Sequence, residues 1–190
     1  MKMRCYNILI ILLIVLSISA GVAQQDPAHQ LYLQAKKFSF NQKWSDAAQL
    51  FQQLIADYPK SQFIEESYFW MAYCWEKAGE NESAFQAFIK LEQLYPQSLW
   101  SDDAAAHKIL LAEKMALKPG DQFYLTLYAA LQNDNNEVKL QAARALARLG
   151  DNKALPAFNS LRGLVEFDDE TLALIRRLED ADKPAVNQPK

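Results

Sequence analysis

Two histidines, His29 and His107, and two cysteines, Cys5 and Cys74, are all the imidazole and thiol that this 190-residue chain contains. Asp103 and His107 stand four residues apart, which on a helix puts both on one face and offers a metal two ligands. A zinc site takes three or four, and no thiol lies nearby in sequence. Neither histidine belongs to an H-E-x-x-H spacing, and no phosphate-binding glycine loop or G-x-S-x-G serine turn occurs. Cys74 has no neighbouring histidine to make it a thiolate, so it reads as a small apolar side chain. The acid pairs Glu65-Glu66 and Asp168-Asp169 fall at helix starts, where they complement the helix dipole. The chain is therefore expected to carry no catalytic residue, no metal and no cofactor. A metal- or peptidoglycan-acting hydrolase is the enzymatic alternative.

The elements around these residues repeat. Ala35, Phe38, Ala47, Phe51, Leu54, Tyr58, Pro59 and Ser61 are followed, 37 residues later in every case, by Ala72, Trp75, Ala84, Phe88, Leu91, Tyr95, Pro96 and Ser98. Apolar residues recur at helical spacing on both sides of a loop in each unit, near Asn41 to Ser45 and Gly79 to Asn81. Each unit is thus predicted to be two antiparallel helices. The alanines, 12 apart within a unit, mark the crossing point where only a small side chain allows close approach, and the paired aromatics fill the space beside it. Proline ends the second helix at Tyr58-Pro59 and Tyr95-Pro96. Ser45 and Asn81 are the expected N-caps of the second helices.

This pattern resembles a pair of tetratricopeptide repeats over Ala28 to Pro96, with "LIADYPKS" and "LEQLYPQS" similar to the longer variant found in bacterial envelope proteins. Gln34 stands where that family usually has an aliphatic residue, and Gln42 where the second unit has Gly79. The resemblance implies an all-α, right-handed solenoid of antiparallel helix pairs, and a protein-protein interaction role. In such a solenoid the first helix of each pair lines the concave side. The residues there that the core does not need are Tyr32, Leu33, Lys36 and Phe40, then Phe69, Trp70, Tyr73 and Lys77, with His107, Leu110 and Lys114 continuing the row. Rigid aromatic anchors flanked by lysine suit an extended or helical peptide segment. The Lys and Asn cluster with which some tetratricopeptide domains grip a terminal carboxylate is replaced here by Tyr32, Phe69 and Tyr73.

Past Pro96 the strict period ends. Ser101-Asp102-Asp103 is expected to cap a helix that runs to the Pro119-Gly120 break and covers the last apolar face of the repeats, so that residues 28–118 form one unit. From 121 to 179 four helices are predicted, over "DQFYLTLYAALQND", "NEVKLQAARALARLG", "NKALPAFNSLRGLV" and "DDETLALIRRLED". Asp134, Val138-Lys139, Ala142-Ala143, Ala145-Leu146 and Leu149-Gly150-Asp151 resemble a HEAT-type repeat, with Gly150 as the helix C-cap. Residues 180–190, polar with two prolines, are expected to be a disordered tail.

Composition agrees with this organisation. At 51% hydrophobic and 23% charged residues the chain can bury a core, and 5 Gly and 7 Pro are too few for an all-β barrel or sandwich. Residues 1–23 read as a secretory signal peptide: Lys2 and Arg4, the apolar run Ile8 to Leu16, then small residues ending at Ala23. The other reading of this segment is an uncleaved signal anchor, since Cys5 to Gln25 carries no charge. Cleavage removes two bases and no acid, moving the net charge from −3 to −5, which excludes nucleic acid as a natural partner. It also leaves Cys74 as the sole cysteine, so no internal disulfide can form. The expected protein is an exported periplasmic scaffold with no membrane span once cleaved. Its expected partners are other envelope proteins or peptide segments, in outer-membrane assembly or cell division. The alternative is a self-associating module, a homodimer with Trp100, Phe123 and Tyr124 in its face.

Overall fold

The computed structural model describes residues 26–182; the signal expected over 1–23 and the tail from 183 onward lie outside them. The described residues form an all-α solenoid of nine helices: α1 (Pro27–Phe40), α2 (Trp44–Asp57), α3 (Ile64–Ala78), α4 (Asn81–Leu94), α5 (Ser101–Met115), α6 (Gln122–Ala130), α7 (Asn136–Arg148), α8 (Ala154–Leu161) and α9 (Asp169–Ala181). Each of α1 to α5 packs on the next, so α1–α2 and α3–α4 are the two repeat units. The helix α5 covers α4 and also packs on α6 and α7, while α7 holds α8 and α9. Among the described residues no helix is long and apolar enough to cross a membrane.

The crossings are where the alanines predict them. Ala35, Ala47, Ala72 and Ala84 have no exposed surface, and Phe51 and Phe88 are equally enclosed beside them. Both units turn between helices in one way. In α3–α4 the Gly79 N–H donates to Glu76 O (3.0 Å) and Glu80 N–H to Trp75 O (2.9 Å), with Gly79 at φ 88°. In α1–α2 the equivalent bonds run from Gln42 to Ser39 O and from Lys43 to Phe38 O, both 3.0 Å. Gln42 is held at φ 58°, a left-handed conformation that glycine enters without a Cβ penalty. This tight turn starts the second helix two residues earlier than its polar residues suggest in the first unit and one earlier in the second: Ser45 lies inside α2, and Asn81 is the first residue of α4. Lys43 and Glu80 occupy the cap positions with no side-chain cap bond.

Ser101 likewise is a helical residue and not a cap. Trp100 is at the cap position of α5, and its N–H donates to Ser98 Oγ (3.0 Å), as Phe63 at the start of α3 donates to Ser61 Oγ (3.3 Å). Of the later helices, α6, α7 and α9 have acid or amide caps, whereas α8 has Lys153 at its cap position with no side-chain cap bond. Asp121 Oδ1 accepts from Phe123 and Tyr124 at the start of α6, Asn135 from Glu137 and Val138 at α7, and Asp168 from Thr171 at α9. The other oxygen of Asp121 accepts from Leu117 (2.9 Å) and Lys118 (3.2 Å), which ends α5 at Met115, short of the predicted break. These backbone donors hold the Asp121 carboxyl below its ordinary range. At Gly150 (φ 80°) the N–H bonds to Ala147 O and that of Asp151 to Leu146 O, ending α7 as predicted. The helix α9 continues to Ala181, beyond the expected start of the tail. Asp182 N–H still bonds to Leu178 O, and Asn152 holds the Asp182 carboxylate (3.2 Å).

Candidate docking cleft

The first helices α1, α3 and α5 carry the aromatic and basic row, but its members divide by depth. Tyr32 (9% exposed) and Phe69 (5% exposed) are core residues, contrary to the expectation that packing does not need them. Each is sandwiched. Tyr32 stacks on Phe63 at 4.6 Å with its edge toward Phe51, and Phe69 stacks on Trp100 at 4.5 Å with its edge toward Phe88. These stacks are repeat equivalents, 37 residues apart. Phe63 and Trp100 thus belong to the repeat signature, which the sequence reading missed because each precedes its helix instead of lying on a periodic face.

Of the dimer face expected at Trp100, Phe123 and Tyr124, only Tyr124 is buried, while Trp100 and Phe123 are half-buried. Trp100 lies on Phe69, Phe123 packs edge-on against Phe85 at 5.1 Å, and Tyr124 is buried. His107 is engaged inward as well: its ring stacks on Phe88 at 5.4 Å, and its Nδ1 lies 2.6 Å from Glu76 Oε2. Asp103 remains exposed on the same helix. Leu110, 54% exposed, and Lys114 continue along α5, outside the cleft described next, with Lys114 Nζ on Asn81 Oδ1 at 3.2 Å.

Lys36, Phe40, Trp70 and Tyr73 come together. With Ser39, Gln42 and Trp44 they line a cleft of about 340 Å³ between α1, α3 and the turn that leads into α2. Its aromatic walls stand nearly perpendicular to one another: Trp44 to Tyr73 at 78° and Trp70 to Tyr73 at 78°, with centroids 6.1 and 5.5 Å apart. Phe40, 88% exposed, stands at the rim, and Leu33 is half-exposed two turns away. Trp44 falls outside the predicted row because it belongs to a second helix, and the row follows the first helices only.

Glu66 fixes the floor, a role beyond its place in the first turn of α3. Its Oε1 accepts from the Tyr32 hydroxyl (2.5 Å) and from Trp70 Nε1 (2.9 Å), with Lys36 Nζ at 3.6 Å. Burial pushes the Tyr32 hydroxyl well above the ordinary tyrosine range, and the Glu66 carboxylate pushes it further. Burial lowers the Lys36 ammonium, against the opposing pull of Glu66. The Lys36 nitrogen lies 3.3 Å from the centroid of the Trp70 ring, and Lys77 Nζ lies 5.0 Å from that of Tyr73. Such an arrangement offers flat apolar surface and cations.

The neighbouring Cys74 is fully enclosed, and burial raises its thiol to about 11, opposed by a hydrogen bond from Ser39.

Among known families, the tetratricopeptide repeat model matches residues 31–61 and 66–98. The two matches end on the equivalent serines Ser61 and Ser98 and cover both helix pairs that build the cleft. No curated protein matches the chain. The described residues thus form a solenoid whose first two helix pairs match the tetratricopeptide repeat.

Proposed function

We propose that the protein is an exported, non-enzymatic scaffold of the cell envelope that docks partner segments in the cleft between its two repeats and serves outer-membrane assembly or cell division. The observation that carries the docking reading is the pairing of an exposed Phe40 with three half-buried aromatic walls, Trp44, Trp70 and Tyr73. A solvated phenylalanine is not needed for the fold, and open aromatic surface of this kind marks interaction sites. Export rests on the leader pattern of residues 1–23, with the periplasm as the destination. The α7 segment, with buried Ala142-Ala143 and the Gly150 terminus, supports a HEAT-like second face.

The test is an affinity capture from envelope extract with the full chain and with a Phe40→Ala/Tyr73→Ala double variant. A partner retained by the first and lost by the second, with both proteins melting within a few degrees of each other, is the expected result. A capture profile identical for the two would overturn the docking reading. Mass spectrometry of the exported product should find an N-terminus at Gln24, and an intact Met1 would overturn cleavage.

A further inference from the structure

The cleft has a charge as well as an apolar floor. Lys36 is its one charged lining residue among the described residues. Lys36 Nζ is ion-paired with Glu66 Oε1 at 3.6 Å, and that oxygen also accepts from Tyr32 and Trp70. Lys77, on the ring of Tyr73, stands in the same relation to Glu76: its nitrogen is 3.9 Å from Oε1, while Oε2 is engaged by His107. Lys114, one repeat further along, reaches only the neutral Asn81 amide. Each ammonium has three donors and one ion-pair partner, so capacity for a second carboxylate remains at Lys36 in the cleft and at Lys77 beside it. Both cations sit over ring faces, where aromatic quadrupoles hold them at the surface of the cleft.

Resting on the docking reading above, the geometry points to one class of occupant: a protein segment in which an aromatic or leucine side chain is flanked by acidic residues. The apolar side chain enters between Trp44, Trp70 and Tyr73 beside Phe40, and the flanking carboxylates lie on Lys36 and Lys77. The cleft volume is at the small end for ligand sites, which suits a single anchor residue. A basic segment would set its own cations against these two lysines, which suppresses wrong partners as effectively as attraction selects right ones.

The probes are three blocked synthetic peptides sharing a length: a central Leu-Phe flanked by acidic residues, the same centre flanked by lysines, and the acidic sequence with Ala-Ala at its centre. Their affinities for the full chain are measured by anisotropy at low and high salt. The acidic Leu-Phe peptide should bind about tenfold more tightly than either other peptide, and salt should weaken it severalfold. Lys77→Glu, at an exposed position, should cost about tenfold in affinity with no change in melting temperature. Phe40→Ala should weaken all apolar-centred peptides. Equal binding of the acidic and basic Leu-Phe peptides, or a preference for the basic one, would overturn the charge assignment while leaving the docking cleft standing. Binding of the acidic peptides regardless of their centre would overturn the anchor. Failure of all three peptides to bind would overturn this assignment, whereas an unchanged affinity in Phe40→Ala would place docking elsewhere and overturn both readings.

Discussion

The two repeat units have the same skeleton and opposite chemistry on their open face. Position by position, the enclosed residues keep their type: Ala35 with Ala72, Ala47 with Ala84, Phe51 with Phe88, Leu54 with Leu91. Even the stacks recur, Tyr32 on Phe63 and Phe69 on Trp100. On the open face the first unit has Leu33, Lys36 and Phe40, and the second has Trp70, Tyr73 and Lys77 at the same places. The cleft exists because of this difference. Lys36 of one unit lies on Trp70 of the next, so a cation meets a ring where strict repetition would have set like against like. Packing therefore fixes what a repeat must share, and solvent exposure leaves the remaining positions free to differ.

Removing the enclosed phenylalanines is the severest way to break this equivalence. Phe51→Ala and Phe88→Ala should each destabilise by about 3–5 kcal/mol, read by urea unfolding. A loss confined to one unit would show that the two cores are not interchangeable. Phe69→Ala belongs with them, since Phe69 is packed on all sides, and it should lower stability before it alters binding. Overfilling the crossing is the next test. Ala72→Leu or Ala84→Leu should cost about 1–3 kcal/mol, and an unchanged melting temperature would mean that the helices do not meet there.

Smaller effects sharpen the comparison at the hydroxyl that only the first unit has. Tyr32→Phe, which makes it resemble the second, should cost about 0.5–1.5 kcal/mol at neutral pH through the lost bond to Glu66. Because folding raises the Tyr32 pKa, its contribution is complete below the ordinary tyrosine value of about 10 and declines as pH rises toward the folded value. The stability difference between wild type and Tyr32→Phe should therefore shrink in alkaline solution, and a difference independent of pH would contradict the burial of the hydroxyl against Glu66. Tyr128, raised to about 12 by burial and by its bond to Asp151, should decline over the same range. The smallest effect is at the turn: Gln42→Gly should stabilise by up to about 1 kcal/mol and Gly79→Gln destabilise by a similar amount, since both positions have positive φ. Equal and opposite shifts in melting temperature would verify that the turns are one structure.

The fold was legible in the sequence because the crossing alanines and closing prolines each have one steric explanation, and they recur at a fixed offset. The helix starts were less legible. Ser45, Asn81 and Ser101 have capping chemistry, yet α2 and α4 begin directly out of a left-handed turn, and α5 begins on a backbone donor held by Ser98. The cleft was half legible. Lys36, Phe40, Trp70 and Tyr73 follow from the periodicity of the first helices, but Trp44 enters from the start of a second helix, and periodicity carries no information on where a neighbouring turn delivers its first side chain. Depth was the least legible. Nothing in residue type separates Tyr32 and Phe69 from Tyr73, because what buries them is Phe63 and Trp100, residues that lie outside both helices of their own unit.

The enclosure of Cys74 gives this protein a clock. Among the described residues it is the single thiol, fully covered on α3 and held protonated by its surroundings, so an alkylating reagent can reach it only when that helix leaves its neighbours. Since α3 contributes a wall of the cleft, the rate of labelling counts the moments at which the docking surface is dismantled. A bound segment that joins α1 to α3 should slow that count in proportion to its occupancy, which turns one buried sulfur into a record of binding that needs no label on the partner.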